Sequence, residues 1–300
     1  MTNKSKVTIV AHNGQFHADD VFAVAALKLL VGDSKEVEVI RTRDGEIINS
    51  ADYVVDVGGF HTPEKNRFDH HQFGGAGERA NGVPFAAFGL VWQKFGPEIT
   101  GSKVVAEIID QRLVQSVDAL DNGISVSKEI IPNLRPFDIS SIIGAMNPNW
   151  DEGETEDKVD QIFLEATSLA MKILAREIQS AKSDFAGETF AVDAYKQSAD
   201  KHLIILDRKY PFEKVLSGFP EPLFVVYPKQ DKWYVKAIRK NLNTFENRKD
   251  LPASWGGKRG SELSAVTGIP GGIFCHIKLF TAGADSKDAA IAMAKVATEA

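Results

Sequence analysis

The chain has one cysteine, Cys275, among 300 residues, and nowhere a run of about 18 apolar residues. A lone thiol excludes an internal disulfide and any zinc site built from several thiolates, which fits a reducing, cytoplasmic setting. The amino terminus, MTNKSK, passes straight into the strand-like KVTIVAHNG without an apolar stretch of signal length, so a soluble, unprocessed protein with no membrane partner is expected. Internal repeats, low-complexity tracts and heptads are missing, as is the HExxH pattern of zinc peptidases. Three hundred residues with 43% hydrophobic content are enough for one sizeable core or two modest ones, and two domains are expected.

Charge is uneven along the chain. Residues 201–300 hold 16 Lys and Arg against 10 Asp and Glu, a net +6, while residues 1–200 hold 19 against 31, a net −12. An acidic part precedes a basic part, an asymmetry suited to a carboxylate-rich metal site followed by a surface for a polyanion. Ordinary solvated charge would look the same from composition alone. No signal of oligomeric state is readable.

Histidines are more informative, because five of the seven (His12, His17, His61, His70, His71) fall within the first 71 residues. Val7–Val10 is a short apolar run that ends at His12-Asn13-Gly14, and Ala18–Leu30 is dense enough for a buried helix. Val37–Ile40 and Tyr53–Val57 read as further strands, the second ending at Asp56 and the pair Gly58-Gly59. Strands alternating with helices predict an α/β domain with a parallel sheet covered on both faces. Helices are predicted over Pro84–Phe95 and Val104–Val117, with Gly123 as a stop, and a long amphipathic helix over Thr155–Ala181. Periodicity fades after Ala186, which puts a boundary near residue 200: a catalytic domain over 1–198 and a smaller, basic α+β domain over 199–300. That second domain has strand candidates at His202–Leu206, Phe224–Tyr227, Trp233–Ile238 and Ile273–Ile277 and a closing helix over Asp288–Ala297.

Ligands of open parallel sheets bind beyond the carboxyl ends of the strands. His12 and Asp56 are predicted at such ends, and the groups His17/Asp19/Asp20, Asp69-His70-His71 and Asp118/Asp121 each border an apolar segment. Imidazole and carboxylate without thiolate suit a divalent metal of borderline hardness: Mn²⁺ is preferred, with Mg²⁺, Fe²⁺ and Zn²⁺ admissible. A tetrahedral zinc needs about three protein ligands, and the larger supply here favours two ions with Asp56 as the bridge. Two such ions suit phosphoester hydrolysis. His61, followed by Thr62-Pro63, has no matching partner and reads as loop surface.

These residues, together with VVDVGG, resemble the successive motifs of the DHH phosphoesterase superfamily. The segments AHNGQFHADDVFAVAALKLL, RFDHHQ, GLVWQKFG, VDALDNGI, ILDRKYPFEKVL, FENRKDLPASWGGKRGSEL and GIPGGIFCHIKLFTAG are more closely similar to its branch of 3′ to 5′ RNA exonucleases typified by the melanocyte-proliferating-gene protein. The resemblance covers nearly the whole chain. It implies a DHH-type domain with an active site in an interdomain cleft, and a two-metal site with His12, His17, Asp19, Asp56 and His70 as ligands. It further implies that His71 faces the scissile phosphate and that Asp69 orients an imidazole. Here His12, His17 and Asp19 are spaced one residue wider than HxxxDxD, with His in place of Asp, so either the loop bulges or His12 is not a ligand; Asp20 is the reserve ligand or a helix cap. Asp118 is favoured over Asp121 for the fourth motif, the two being three residues apart and on one helical side.

For the second domain the resemblance implies that the segment Gly268-Ile269-Pro270-Gly271-Gly272, leading to His276, holds substrate through backbone N–H groups. Arg248, Lys258 and Arg259 are candidate phosphate partners and Trp255 a stacking platform; a buried Trp255, a simple turn at Gly271-Gly272 and solvated Lys258-Arg259 are the competing readings. The expected activity is 3′ to 5′ hydrolysis of single-stranded RNA, or DNA, without a covalent intermediate. The alternatives are hydrolysis of short oligonucleotides, cyclic dinucleotides or phosphoanhydrides, and a non-catalytic nucleic-acid-binding protein.

Overall fold

The apolar run after the amino terminus forms strand β1 (Lys6–Ala11), whose residues Ile9, Val10 and Ala11 are fully buried. The computed structural model describes residues 5–153 and 155–300, and the chain divides into two units, Met1–Ala181 and Lys182–Ala300. In unit 1, β1 is followed by α1 (Ala18–Val31), β2 (Glu36–Arg41), α2 (Gly45–Ser50), β3 (Tyr53–Val55), β4 (His61–Thr62) and β5 (Arg67–Phe68). Helices α3 (Ala87–Thr100), α4 (Lys103–Ile109), α5 (Gln115–Asp121), α6 (Ile139–Gly144) and α7 (Glu156–Gln197) come next.

The sheet order is β2-β1-β3-β5-β4, with all neighbours parallel except β4, which runs antiparallel to β5. The expected parallel sheet is therefore a mixed one. The cause is local: only residues 63–66 join β4 to β5, and so short a connection permits only an antiparallel return. Asn66, with φ at 57°, makes the turn in the left-handed region that asparagine tolerates. His61 accordingly lies half-buried in β4, not in a loop. Alternation along the strands feeds two cores. Ile9 and Val55 face a large cluster with α1, α3 and the first part of α7, while Val10 and Val54 face Ile48 and Ala51 of α2 and its flank.

Every residue of α1 from Val21 to Leu27 is fully buried, the pattern of a helix enclosed on all sides. The helix expected over Val104–Val117 is α4 and α5 joined by a π-helical turn, Asp110–Val114. A charged network ties it to α3. Arg79 donates through Nη1 to Asp118 Oδ2 (2.8 Å) and through Nη2 to Asp110 Oδ1 (2.7 Å), and Gly89 N–H of α3 donates to Asp118 Oδ1 (2.9 Å).

Unit 2 holds β6 (Leu203–Ile205), α8 (Glu213–Ser217), β7 (Phe224–Lys229), β8 (Lys232–Ala237), α9 (Gly260–Thr267), β9 (Gly272–Cys275), β10 (Thr281–Ala284) and α10 (Lys287–Glu299). Its sheet, β6-β7-β8-β10-β9, is antiparallel but for the β6/β7 pair. Its α10 packs with Val226 and Val235 on one face, and Phe212, Leu216 and Ala191 pack with Ile204 and Val225 on the other. Ala191 belongs to α7, which runs sixteen residues beyond the Ala181 limit that periodicity suggests. Its later buried positions are Gly187 and Ala191, too small to register as a hydrophobic stripe. A Cβ on Gly187 would stand 2.4 Å from Pro211 Cδ, so the helix approaches that loop closely only because no side chain intervenes. Among the described residues no helix is long and apolar enough to cross a membrane.

Gly89→Ala tests the network. Alanine is the better helix former by about 1 kcal/mol, but its Cβ would stand 1.8 Å from Asp118 Oδ2, so the carboxylate must leave Arg79. The expected outcome is a net loss of about 2–4 kcal/mol in urea unfolding; an unchanged midpoint would contradict it.

Candidate metal centre

Beyond the carboxyl ends of β1 and β3, side chains from four segments meet. His12 follows β1 directly, 4% exposed, and its Nε2 lies 3.2 Å from both Asp20 Oδ2 and Asp56 Oδ2. The loop that follows turns at Gly14, with φ at 90°, and His17 closes it immediately before α1. This geometry accommodates the wider spacing between His12 and Asp19. Asp19 and Asp20 occupy the first turn of α1, fully buried, where the positive end of the helix dipole favours carboxylates. Asp20 Oδ1 accepts from the N–H groups of His17 (3.0 Å) and Val21 (2.7 Å), so this residue caps the helix with one oxygen and faces His12 with the other. Asp19 Oδ2 accepts from Ala87 N–H at the start of α3 (3.3 Å).

Asp56 follows β3 with φ at 54°, a left-handed conformation that costs a non-glycine residue energy and that the positive-φ pair Gly58-Gly59 continues. Its N–H donates to Phe68 O, keeping it in line with β5. Its Oδ1 lies 3.3 Å from both His70 Nε2 and His71 Nδ1. Asp69 is buried and locked: Oδ2 accepts from Gly59 N–H (2.6 Å), and Oδ1 accepts from His71 N–H (3.0 Å) and lies 2.8 Å from His71 Nδ1. His71, whose side chain is 62% exposed, is thereby held by one ring nitrogen, leaving Nε2 as the available one.

The fourth group differs from expectation. Asp121, at the end of α5, lies with Oδ2 3.2 Å from His70 Nε2, whereas Asp118 is fully buried against Arg79 and Gly89 N–H. Both of its oxygens are engaged there, and burial pushes its pKa up to about 7 even though Arg79 opposes the shift. The structure thus sets Asp121, and not the favoured Asp118, beside the histidines: one turn of helix separates an inward anchor from the residue that meets His70.

Three overlapping groups bring one donor atom per residue within 4.8 Å of one another: His12/His17/Asp56, Asp56/His70/His71 and His17/Asp19/Asp121. Asp19 Oδ1, Asp20 Oδ2, Asp56 Oδ1 and His70 Nε2 are buried without a hydrogen bond, the last three at contact distance from an oppositely charged group yet off hydrogen-bonding alignment. Buried polar atoms are rarely left so. Convergent, unsatisfied nitrogen and oxygen donors fit divalent metal. Charge balance points the same way. Burial, followed by Asp56, Asp121 and Asp20, raises Asp19 well above the carboxylate range. Burial also raises Asp20 against the pull of His12. Burial opposes ionisation of Asp56, but His12, His70 and His71 outweigh it and hold this carboxylate well below its ordinary value. Burial opposes charge on His12 and His70 too, yet Asp20 and Asp56 push His12, and Asp121 and Asp56 push His70, up to about 10.

Unit 2 is less accommodating to the expected substrate contacts. The guanidinium of Arg248 donates to the backbone oxygens of Ser217, Phe219 and Pro222, so it braces loops. Trp255 is 1% exposed within the core. Gly271 adopts φ of 88° beneath Asp285, whose Oδ1 would lie 2.3 Å from an added Cβ, and Gly272 packs on Leu263. Gly271 thus closes a turn packed against that carboxylate, and Gly272 opens β9. Arg259 is exposed and Lys258 and His276 are half-buried, His276 accepting from Lys278 N–H through Nδ1. Sequence reasoning overlooked Arg79, which carries no motif and matters only through Asp118, and Arg43, which lines the cleft beside His12 and Asp56.

A family model, MYG1_exonuc, described as Uncharacterised protein family (UPF0160), matches residues 8–298. MYG1 exonuclease of Homo sapiens is 31% identical over 327 residues, covering 96% of this chain and 84% of its own. MYG1 exonuclease of Mus musculus is 32% identical over 324 residues, covering 96% and 83%. MYG1 protein of Chlamydia trachomatis serovar D is 33% identical over 290 residues, covering 94% and 93%.

An imidazole ligates metal only when neutral. With His12 and His70 held protonated to about pH 10, binding of a divalent cation is expected to expel protons and to tighten as pH rises from 6 toward 9. Mn²⁺ calorimetry in two buffers of different ionisation enthalpy measures this, and proton uptake would overturn it. In the same titration Asp121→Asn should weaken binding about tenfold or more with little change in Tm, while Asp118→Ala should lower Tm; the reverse pattern would restore Asp118 as the ligand.

Proposed function

Because this chain belongs to the MYG1_exonuc family, UPF0160, we propose that it is a metal-dependent phosphodiesterase that removes nucleotides from the 3′ end of single-stranded RNA. The observation that carries the reading is Asp56, the one carboxylate among the described residues that stands in two donor groups at once, His12/His17/Asp56 and Asp56/His70/His71. A shared carboxylate between two nitrogen-rich sets suits two divalent ions, Mn²⁺ preferred. The triplet Asp69-His70-His71 with Asp56 supports a DHH-type centre, and the names of the human and mouse relatives support exonuclease activity.

Divalent metal held there supplies positive charge to the phosphoryl oxygens and eases attack by water at neutral pH. His12, His17, Asp19, Asp56, His70 and Asp121 hold it. Asp69 keeps His71 in one orientation through Nδ1, so that Nε2 can donate a proton toward a phosphoryl or leaving oxygen. Water adds to phosphorus, the bond from phosphorus to the 3′ oxygen breaks, and that oxygen takes up a proton; the products are a nucleoside 5′-monophosphate and a strand shorter by one residue. Lys258, Arg259 and His276 of unit 2 are the strand-holding groups of the proposal, Arg248, Gly271 and Gly272 having other employment.

End-labelled single-stranded RNA and a labelled dinucleotide, given to chelator-stripped protein with Mn²⁺, Mg²⁺ or Zn²⁺ restored separately, test the proposal. Stepwise loss from the 3′ end with Mn²⁺ is expected, and Asp56→Ala should abolish it while remaining folded. Cleavage of the dinucleotide alone would replace the reading with a small-substrate hydrolase, and no turnover with any metal would leave a binding protein.

A further inference from the structure

Beside the donor groups lies a cleft of about 560 Å³ whose wall includes Asn13, Gln15, Arg43, Gly58 and His71. Arg43 is the sole lysine or arginine among the described residues that line it. Its side chain is exposed and makes no hydrogen bond or ion pair among the described residues, whereas the backbone that carries it is fixed on both sides. On one side the buried Arg41 donates through Nη1 to Asp160 Oδ1 (2.8 Å) and through Nη2 to Gly14 O (2.6 Å), and Thr42 N–H donates to Ala11 O. On the other side Asp44 caps α2, its Oδ1 accepting from Glu46 and Ile47 N–H. That carboxylate is thus committed to the helix and does not neutralise its neighbour. A positioned, unpaired guanidinium at the wall of a cleft bordered by metal donors is an anion receptor whose fork matches a phosphate.

The volume lies within the range of small-molecule pockets, about 300–1,000 Å³, and the wall adds the carboxamide of Gln15, exposed and without a hydrogen bond among the described residues. We propose that this cleft is a mononucleotide pocket, in which Arg43 grips the phosphate of the nucleotide being removed and retains the nucleoside 5′-monophosphate after cleavage. The inference rests on the exonuclease reading and deepens it. It makes the monophosphate a competitive product inhibitor whose affinity depends on a residue outside the metal ligands.

Equilibrium binding of adenosine 5′-monophosphate and of adenosine to the intact protein in Mn²⁺ buffer tests this. Wild type should bind the monophosphate more tightly than the nucleoside. Arg43→Ala should weaken monophosphate binding about tenfold or more with adenosine binding unchanged, Arg43→Lys should recover part of the loss, and Tm should stay constant in both. Equal monophosphate binding by wild type and Arg43→Ala, equal binding of nucleotide and nucleoside, or no monophosphate binding at all would each overturn the pocket. Wild-type hydrolysis of end-labelled RNA is scored separately: hydrolysis without monophosphate binding removes the pocket alone, and monophosphate binding without hydrolysis removes the exonuclease reading while the nucleotide site stands.

Discussion

Much of unit 1 is arranged around one crowded carboxylate. Asp56 lies within 3.3 Å of His12, His70 and His71, in a left-handed backbone conformation directly after a strand. The histidines arrive from both of its neighbours in the sheet: His12 from β1, His70 and His71 from beyond β5. The parallel register that sets β3 between β1 and β5 is thus what lets a single side chain address all three. The same closeness raises His12 and His70 to about 10 and lowers Asp56, so that a proton and a divalent cation would compete for the same imidazole lone pairs.

The parts legible in the sequence are those where local chemistry and topology agree. Strand, loop and helix from Lys6 to Val31 follow from an apolar run, a glycine and a dense apolar stretch, and the convergence of His12, His17, Asp56 and His70 follows from where parallel strands end. The parts that were not legible depend on contacts between distant residues. Asp118 and Asp121 look equivalent on a helix until Arg79, 39 residues upstream, claims one of them. An arginine reads the same whether it meets a phosphate or, as Arg248 does, three carbonyl oxygens. Trp255 and Gly271 likewise belong to packing and to a turn. Strands such as β10, with the sequence TAGA, carry little β-propensity beyond Thr281 and are held by their pairing with β8 and β9.

Division of labour among neighbouring side chains recurs through unit 1. Asp69 anchors while His71 stays accessible, and Asp118 anchors while Asp121 meets His70. Arg41 is spent on Gly14 and Asp160, whereas Arg43 remains free for the cleft. In each pair the buried member is held by protein atoms, and the second is presented by the rigidity of the first, which is how a site keeps its geometry before any ligand arrives.

The π-helical turn at Asp110–Val114 gives this economy an angular aspect. A π turn is an α-helix with a residue to spare, and each residue of an α-helix advances the side chains by about 100° around the axis. Removing that spare residue would rephase α5 as a whole, carrying Asp121 away from His70 and Asp118 away from Arg79 in one rotation. The azimuth of the carboxylate that meets His70 is therefore set seven residues upstream of it, by a winding defect outside the histidine cluster.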